Sequence, residues 1–170
     1  LTEKSRLPLL RQTGSLIESP AGYLHLTAQE NLEIVADLKG VTHKDIGRVL
    51  DIVHLTQDRN RRVGQYSLGM KQRLGIAAAL LGTPKVIILD EPTNHLDLEM
   101  TEWLEGYLSR ANISILMVTH DRYFLDRVCS EIIEIDRKHI YQYKGNYSYY
   151  LEKRQERMDA LNAEVDRASN

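Results

Sequence analysis

The chain has 170 residues, a length that fits one ordinary domain. Its 22 Lys+Arg against 24 Asp+Glu leave a formal charge of −2, which argues against coating bare nucleic acid through bulk charge. With 42% hydrophobic and 27% charged residues, the composition is that of a globular chain and not of a disordered one. The longest apolar run, Ile76–Leu81, falls far short of the roughly 20 residues a membrane span needs. A single cysteine, Cys129, excludes an internal disulfide and a cysteine-cage zinc site, and a reducing cytosol is the simple reading. No secretory leader is visible, and the first residue is Leu1, as in a piece of a longer product.

Pro8 interrupts any regular element in residues 1–13, and Leu16–Ile17 read as a short strand closing before Ser19-Pro20. Thr27 with Glu30 fits a capping box, after which Leu32, Val35 and Leu38 recur at helical spacing until Gly40. Thr42 opens a second helical pattern with Ile46, Val49, Leu50 and Val53 on one face, and Gln57–Arg62 reads as a polar loop. Ser67 precedes a third helix, Met70–Leu81, which Gly82-Thr83-Pro84 ends. Val86–Leu89 is all apolar, which predicts a strand buried on both faces. Leu98–Leu108 reads as helix, Ile113–Thr119 as another buried strand, and Tyr123–Val128 as helix. Ile132–Ile135 and Ile140–Tyr143 form a predicted hairpin. Strands alternating with helices predict an α/β domain with a mainly parallel sheet.

Five of the nine tyrosines fall between Tyr141 and Tyr150, and from Leu151 onward the chain is charged and helix-prone. That tail reads as a solvated helix. Leu151, Met158, Leu161 and Val165 trace a narrow stripe along it that suits a partner helix. Cys129 reads as a small buried residue and Trp103 as helix packing, while His25, His43, His54 and His139 lack metal-ligand spacing.

Chemistry concentrates at three places. Asp90 and Glu91 close the apolar strand, at the edge where α/β sheets place their ligands. Asp90 suits Mg²⁺, directly or through water, because that ion takes one or two carboxylates together with water and phosphate oxygens. Glu91, one residue further, is placed to accept a proton from a water attacking a phosphate. Taken alone, an Asp-Glu pair more often just ends a strand in solvent. Ser67 as an N-cap with Gly69 in the first turn leaves backbone amides at a positive helix end, a phosphate seat, although such caps also serve stability only. His120 ends the second strand, where a neutral imidazole can donate to a terminal phosphate, although a lone histidine is more often structural.

The order of these elements, with Leu96-Asp97 between the strands, resembles that of the ATP-binding cassette (ABC) ATPases. The resemblance implies a P-loop NTPase-like cassette fragment with a helical subdomain inserted over residues 21–65. It divides the chain into a core remnant over 1–20, that subdomain, a core over 66–140, and a Tyr-rich segment with a charged tail over 141–170. It makes Ser67 and Gly69 signature positions, Asp90 the Walker B metal carboxylate, Glu91 the catalytic glutamate, Asp97 a D-loop residue and His120 the switch histidine. Gly14-Ser15-Leu16-Ile17-Glu18-Ser19-Pro20 resembles the Q-loop, with Glu18 where most members carry glutamine. ATP and Mg²⁺ are the implied cofactors and a second cassette the implied partner.

Two branches of the family are visible. Residues from Arg11 to about Leu81, with Tyr-Ser-Leu-Gly-Met-Lys-Gln, resemble ATPase subunits of bacitracin- and lantibiotic-type exporters. Asp-Glu-Pro-Thr-Asn-His-Leu-Asp, Thr-His-Asp-Arg-Tyr-Phe-Leu-Asp and Lys-Gly-Asn-Tyr-Ser-Tyr-Tyr-Leu resemble the ABC-F group, soluble tandem-cassette proteins many of which act on ribosomes. The changeover falls near Pro84–Asp90, so the sequence reads as composite. The implied partner is a ribosome in the ABC-F case and a membrane permease in the exporter case. The corresponding location is the cytoplasm, or the cytoplasmic side of the inner membrane. A third reading is a non-catalytic remnant that only binds a partner.

A phosphate-binding loop G-x-x-x-x-G-K-[ST] needs lysine directly after glycine, and none of the ten glycines is followed by lysine. Gly64 and Gly69 have the right spacing, but Met70 occupies the lysine position. The expectation is therefore a Walker A-less chain, doubtful as an independent fold and inactive as an ATPase by itself.

Overall fold

The computed structural model describes residues 8–17 and 22–168. Expectations that fall on residues 1–7 and 18–21, Glu18 among them, lie outside the described residues. The chain divides into two compact units, one running to Leu104 and including Arg110–His120, the other made of Glu105–Ser109 and the residues from Asp121.

In the first unit, helix α1 (Ala28–Lys39) starts from the expected capping box. The Thr27 amide donates to the Glu30 carboxylate at 2.7 Å, and the Glu30 amide donates to the Thr27 hydroxyl at 3.2 Å. Gly40, with φ 65°, closes α1 by donating its amide to the carbonyls of Ala36 and Asp37. Helix α2 (Asp45–Ile52) begins three residues after Thr42, and its expected face of Ile46, Val49, Leu50 and Val53 is fully buried. Helix α3 (Leu68–Leu80) is the spine of the unit.

Two basic side chains cap carbonyls at the C-terminal end of α3. Lys39 Nζ donates to Ala78 O at 3.0 Å and to Leu81 O at 3.2 Å, and Arg48 donates to Leu80 O at 3.0 Å. Asp45 accepts from Arg48 at 2.8 Å and from the Gly82 amide at 2.7 Å. Burial lowers the Lys39 pKa, and the Arg48 hydrogen bond, the largest influence, holds the Asp45 carboxyl below its usual range.

Strands β1 (Thr13–Leu16), β2 (Val86–Asp90) and β3 (Ser114–Val118) form a parallel sheet in that order. Register pairs Leu16 with Leu89 and Asp90 with Val118. Leu16, Ile87 and Leu89 share the buried face, whereas Val86 and Ile88 are half-buried. On β3, Leu116 and Val118 are 55% and 62% exposed. The expectation of two-sided burial is therefore corrected for both strands. One face of β2 is buried and the other half-buried, and among the described residues β1 and β3 are the two edges of the sheet. The backbone of β1 lies directly on α3: a Cβ on Gly14 would stand 1.9 Å from Ala79 O.

In the second unit, Asp121 caps helix α5 (Arg122–Val128) by accepting from the Phe124 amide at 3.0 Å, and the Phe124 ring is buried. The hairpin of β4 (Glu131–Asp136) and β5 (His139–Lys144) is antiparallel and turns through Arg137 and Lys138, both with positive φ. Helix α6 (Tyr147–Ala168) starts four residues before Leu151, because the Asn146 side chain accepts from the Tyr149 amide at 3.0 Å. Two of its charged residues are not simply solvated as expected. Arg154 and Arg157 reach Glu134 of β4 at 2.8 and 2.9 Å, and the Tyr143 hydroxyl adds a third bond at 3.1 Å. The Arg157 guanidinium stacks 3.6 Å from the Tyr141 ring centre. Cys129 is half-buried instead of buried, and burial raises its thiol pKa.

Two expectations follow from this packing. Gly14→Ala drives a methyl into the backbone of α3, which has no flexible end to give way. It lowers unfolding free energy by about 1–3 kcal/mol or more, read from a denaturant midpoint. Glu134 carries the second. Burial alone would raise its pKa, but the hydrogen bonds from Arg154 and Tyr143 and the charges of Arg157 and Arg154 outweigh it, and the net shift is downward from the ordinary 4.5. A depressed carboxylate stabilises the fold above its unfolded pKa and loses that contribution as pH falls through the folded value. The near-UV tyrosine signal therefore weakens on acidification below about 4.5, and Glu134→Gln flattens that dependence.

Candidate functional site

Three segments of the first unit carry the candidate residues. The first is the N-terminus of α3. Ser67 is extended, and its hydroxyl accepts from the Met70 amide at 3.2 Å, which leaves the remaining first-turn amides open at the positive end of the helix. Gly69 is there for space. A Cβ at this position would lie 2.7 Å from His95 O, so only glycine lets the 91–97 turn approach.

Between the helix end and that turn lies an open cleft of about 450 Å³, to which Ser67, Gly69, Met70, His95 and Asp97 contribute. Asp97 also caps helix α4 (Leu98–Arg110): its carboxylate accepts from the Met100 amide at 2.8 Å. Arg73 lines the same cleft, but its guanidinium donates to the carbonyls of Val53 and His54 at 3.3 and 3.2 Å.

The second segment is the end of β2. Asp90 is half-buried, and among the described residues its carboxylate has no hydrogen-bond or ion-pair partner. Glu91 turns the chain with φ 46°, in the left-handed region that a non-glycine residue seldom enters. Its amide donates to Val118 O at 2.8 Å.

The third segment, the end of β3, holds the Glu91 carboxylate. The Thr119 hydroxyl donates to it at 3.0 Å and the His120 amide at 3.1 Å. The Glu91 side chain is 22% exposed and that of His120 is 98% exposed, with His120 Nε2 3.6 Å from Glu91 Oε1. That separation is too long for a hydrogen bond. The carboxylate is therefore fixed while the imidazole stands in solvent, able to meet a ligand.

The structure thus gathers Ser67, Gly69 and Asp97 around the cleft, and Asp90, Glu91 and His120 at the C-terminal edge of the sheet. Glu18 lies outside the described residues. No group of three or more His, Cys, Asp or Glu that could cage a metal occurs among the described residues. A lone strand-end carboxylate suits Mg²⁺, which takes water and phosphate oxygens for its other positions, and does not suit zinc.

Gln72, which in the sequence is only the last residue of the Tyr-Ser-Leu-Gly-Met-Lys-Gln stretch, has a place of its own in this region. Gln72 is 1% exposed, and its Nε2 donates to Glu91 O and to Pro92 O, both at 3.1 Å. The signal was present: Gln72 shares the buried face of α3 with Ile76 and Leu80, at positions where a polar residue needs a partner.

Against known proteins, an ABC transporter family pattern matches residues 1–94 and a second ABC transporter pattern matches residues 133–170. The chain is 53% identical over 100 residues to the ABC transporter ATP-binding protein YfmR of Bacillus subtilis, covering 59% of this chain and 16% of that protein. It is 51% identical over 96 residues to the energy-dependent translational throttle protein EttA of Mycobacterium tuberculosis, covering 56% and 17%. It is 46% identical over 122 residues to the bacitracin transport ATP-binding protein BcrA of Bacillus licheniformis, covering 69% and 40%. The chain therefore spans less than half the length of each of these relatives. A solved structure of the ATP-binding subunit of an ABC transporter superposes with TM-score 0.72 at 25% identity, over 83% of this chain and 62% of that one. With its first family match alone taking in more than half of its residues, the chain belongs to the ABC transporter ATP-binding domain family.

Proposed function

We propose that this cassette domain binds Mg-ATP at an interface with a second cassette and, where a phosphate-binding loop completes the site, hydrolyses it. The observation that carries this reading is the Glu91 carboxylate, pinned by Thr119 and the His120 amide at the strand edge beside a solvent-facing imidazole. Asp90 is the residue that would hold Mg²⁺, directly or through water. When bound, the ion offsets charge on the phosphates.

The residues of this chain then divide the work. Glu91 accepts a proton from the attacking water, and the His120 imidazole donates a hydrogen bond to the terminal phosphate. The open amides behind Ser67 and Gly69 face a phosphate belonging to the partner's nucleotide, and Asp97 lies on the far side of the same cleft. Glu18 is assigned to the same nucleotide site by family resemblance. No glycine here precedes a lysine, so these 170 residues do not themselves supply the lysine that grips the β/γ-phosphates in such a loop.

Within the family, the motifs from Asp90 onward and the similarity to EttA favour an ABC-F domain, cytoplasmic and acting with ribosomes in the manner of antibiotic-resistance members of that group. The similarity to BcrA supports the second reading, the ATPase subunit of an antibiotic exporter docked on a permease. No described helix is long and apolar enough to cross a membrane.

Two measurements test these readings. The purified chain alone turns over ATP at background rate. With a phosphate-binding loop supplied in cis and a complete ABC cassette as partner, Mg-ATP binds and is hydrolysed, and Glu91→Gln in this chain reduces its share of the turnover by about 10²–10⁴-fold. Turnover by the chain alone that Glu91→Gln abolishes, or no nucleotide-dependent association with a complete cassette, overturns the proposal. Separately, the full-length protein sediments with ribosomes; co-purification with a multi-span permease instead selects the exporter reading.

A further inference from the structure

We propose that Gln72 is a positioning residue that ties the phosphate-facing end of α3 to the Glu91 carboxylate, so that the two nucleotide sites of a cassette pair sense one another. This rests on the two-cassette reading, in which Ser67 and Gly69 serve the nucleotide of one site and Glu91 serves the other.

The geometry leaves the turn little freedom. A buried carboxamide must place both of its N–H groups, and Gln72 places them on two successive carbonyls, Glu91 O and Pro92 O, each at 3.1 Å. Three residues earlier on the same helix face, Gly69 lies against His95 O with no room for a methyl. α3 therefore holds residues 91–92 by hydrogen bonds and abuts residue 95 at Gly69. Between these contacts the backbone is held at φ 46° for Glu91 and 62° for His95, conformations both residues would leave if released.

At Glu91 every polar group is engaged. The amide is held by Val118 O, the carboxylate by Thr119 and the His120 amide, and the carbonyl by Gln72 and the Asn94 amide. Of these partners Gln72 is the one on the helix that offers the phosphate seat. A displacement of the α3 N-terminus by a bound phosphate is transmitted through the Gln72 side chain to the peptide of Glu91 and so to the direction of its carboxylate.

Gln72→Met tests this, since it keeps the volume and removes both donors without burying a charge. In the intact chain, the His120 amide exchanges with solvent about tenfold faster in the variant while the amides of Ile76–Leu80 change less than about twofold. With a phosphate-binding loop supplied in cis and a complete cassette as partner, kcat for ATP falls about tenfold at unchanged KM, and Gln72→Met causes no further loss in a Glu91→Gln background. Unchanged His120 exchange overturns the proposal. So does equal acceleration along the helix, a KM rise at constant kcat, or a full additive loss on Glu91→Gln. If the chain so completed supports no turnover with a complete cassette, the two-cassette reading falls, and the exchange measurement by itself decides whether Gln72 positions Glu91.

Discussion

The seating of β2 against β3 is the constraint from which the chemistry of the first unit follows. Asp90 pairs with Val118, and the next amide, that of Glu91, donates to Val118 O at 2.8 Å. That single step carries the carboxylate across to the Thr119 hydroxyl and the His120 amide. A slip of one residue would exchange the two faces of β2, move Ile87 and Leu89 off the buried side and turn Asp90 inward. Register is therefore enforced by the apolar burial of Ile87 and of Leu89, which pairs with Leu16 and directly precedes Asp90.

Helix α3 is fastened at one end and open at the other, and the asymmetry has a physical basis. Its C-terminal carbonyls carry partial negative charge, and they meet Lys39 and Arg48, with Asp45 offsetting the added positive charge and holding the Gly82 amide. Gly82 has φ 80° and faces Val41 too closely for a side chain, so the chain leaves the helix along one path. At the N-terminus only Ser67 intervenes, and the amides beyond it point at a cleft instead of at protein. A helix anchored from behind presents its positive end in a fixed direction, as an anion seat requires.

Local chemistry makes much of this readable in the sequence alone. The Thr27 and Glu30 box, the Gly40 cap and the Ser67 cap are each decided within four residues, so short-range pattern suffices. The buried face of α2 follows from period alone. Other features depend on partners distant in sequence. The apolar run of β2 predicts covering on both faces, but how far each face is covered is a property of neighbouring elements, and here one is buried and the other half-buried. Glu134 draws Arg154 and Arg157 from twenty and more residues away, which turns part of a charged tail into an anchored helix. Gln72 lies nineteen residues from Glu91, and only its place among the buried positions of α3 hinted that it needed a partner.

The backbone at Glu91 shows what the site demands of the sequence. A non-glycine residue in the left-handed region costs of order 1–3 kcal/mol. Glycine would remove that cost but would also remove the carboxylate that Thr119 and the His120 amide hold. Positive φ by itself does not mark function, because Thr83, Arg137 and Lys138 adopt it in plain turns. What sets Glu91 apart is that strain coincides with complete engagement of its amide, carbonyl and carboxylate. Hydrogen bonds worth about 1 kcal/mol each, net, are together large enough to offset the conformation. The carboxylate is thereby oriented before any ligand arrives, as the proposed proton-accepting role of Glu91 requires.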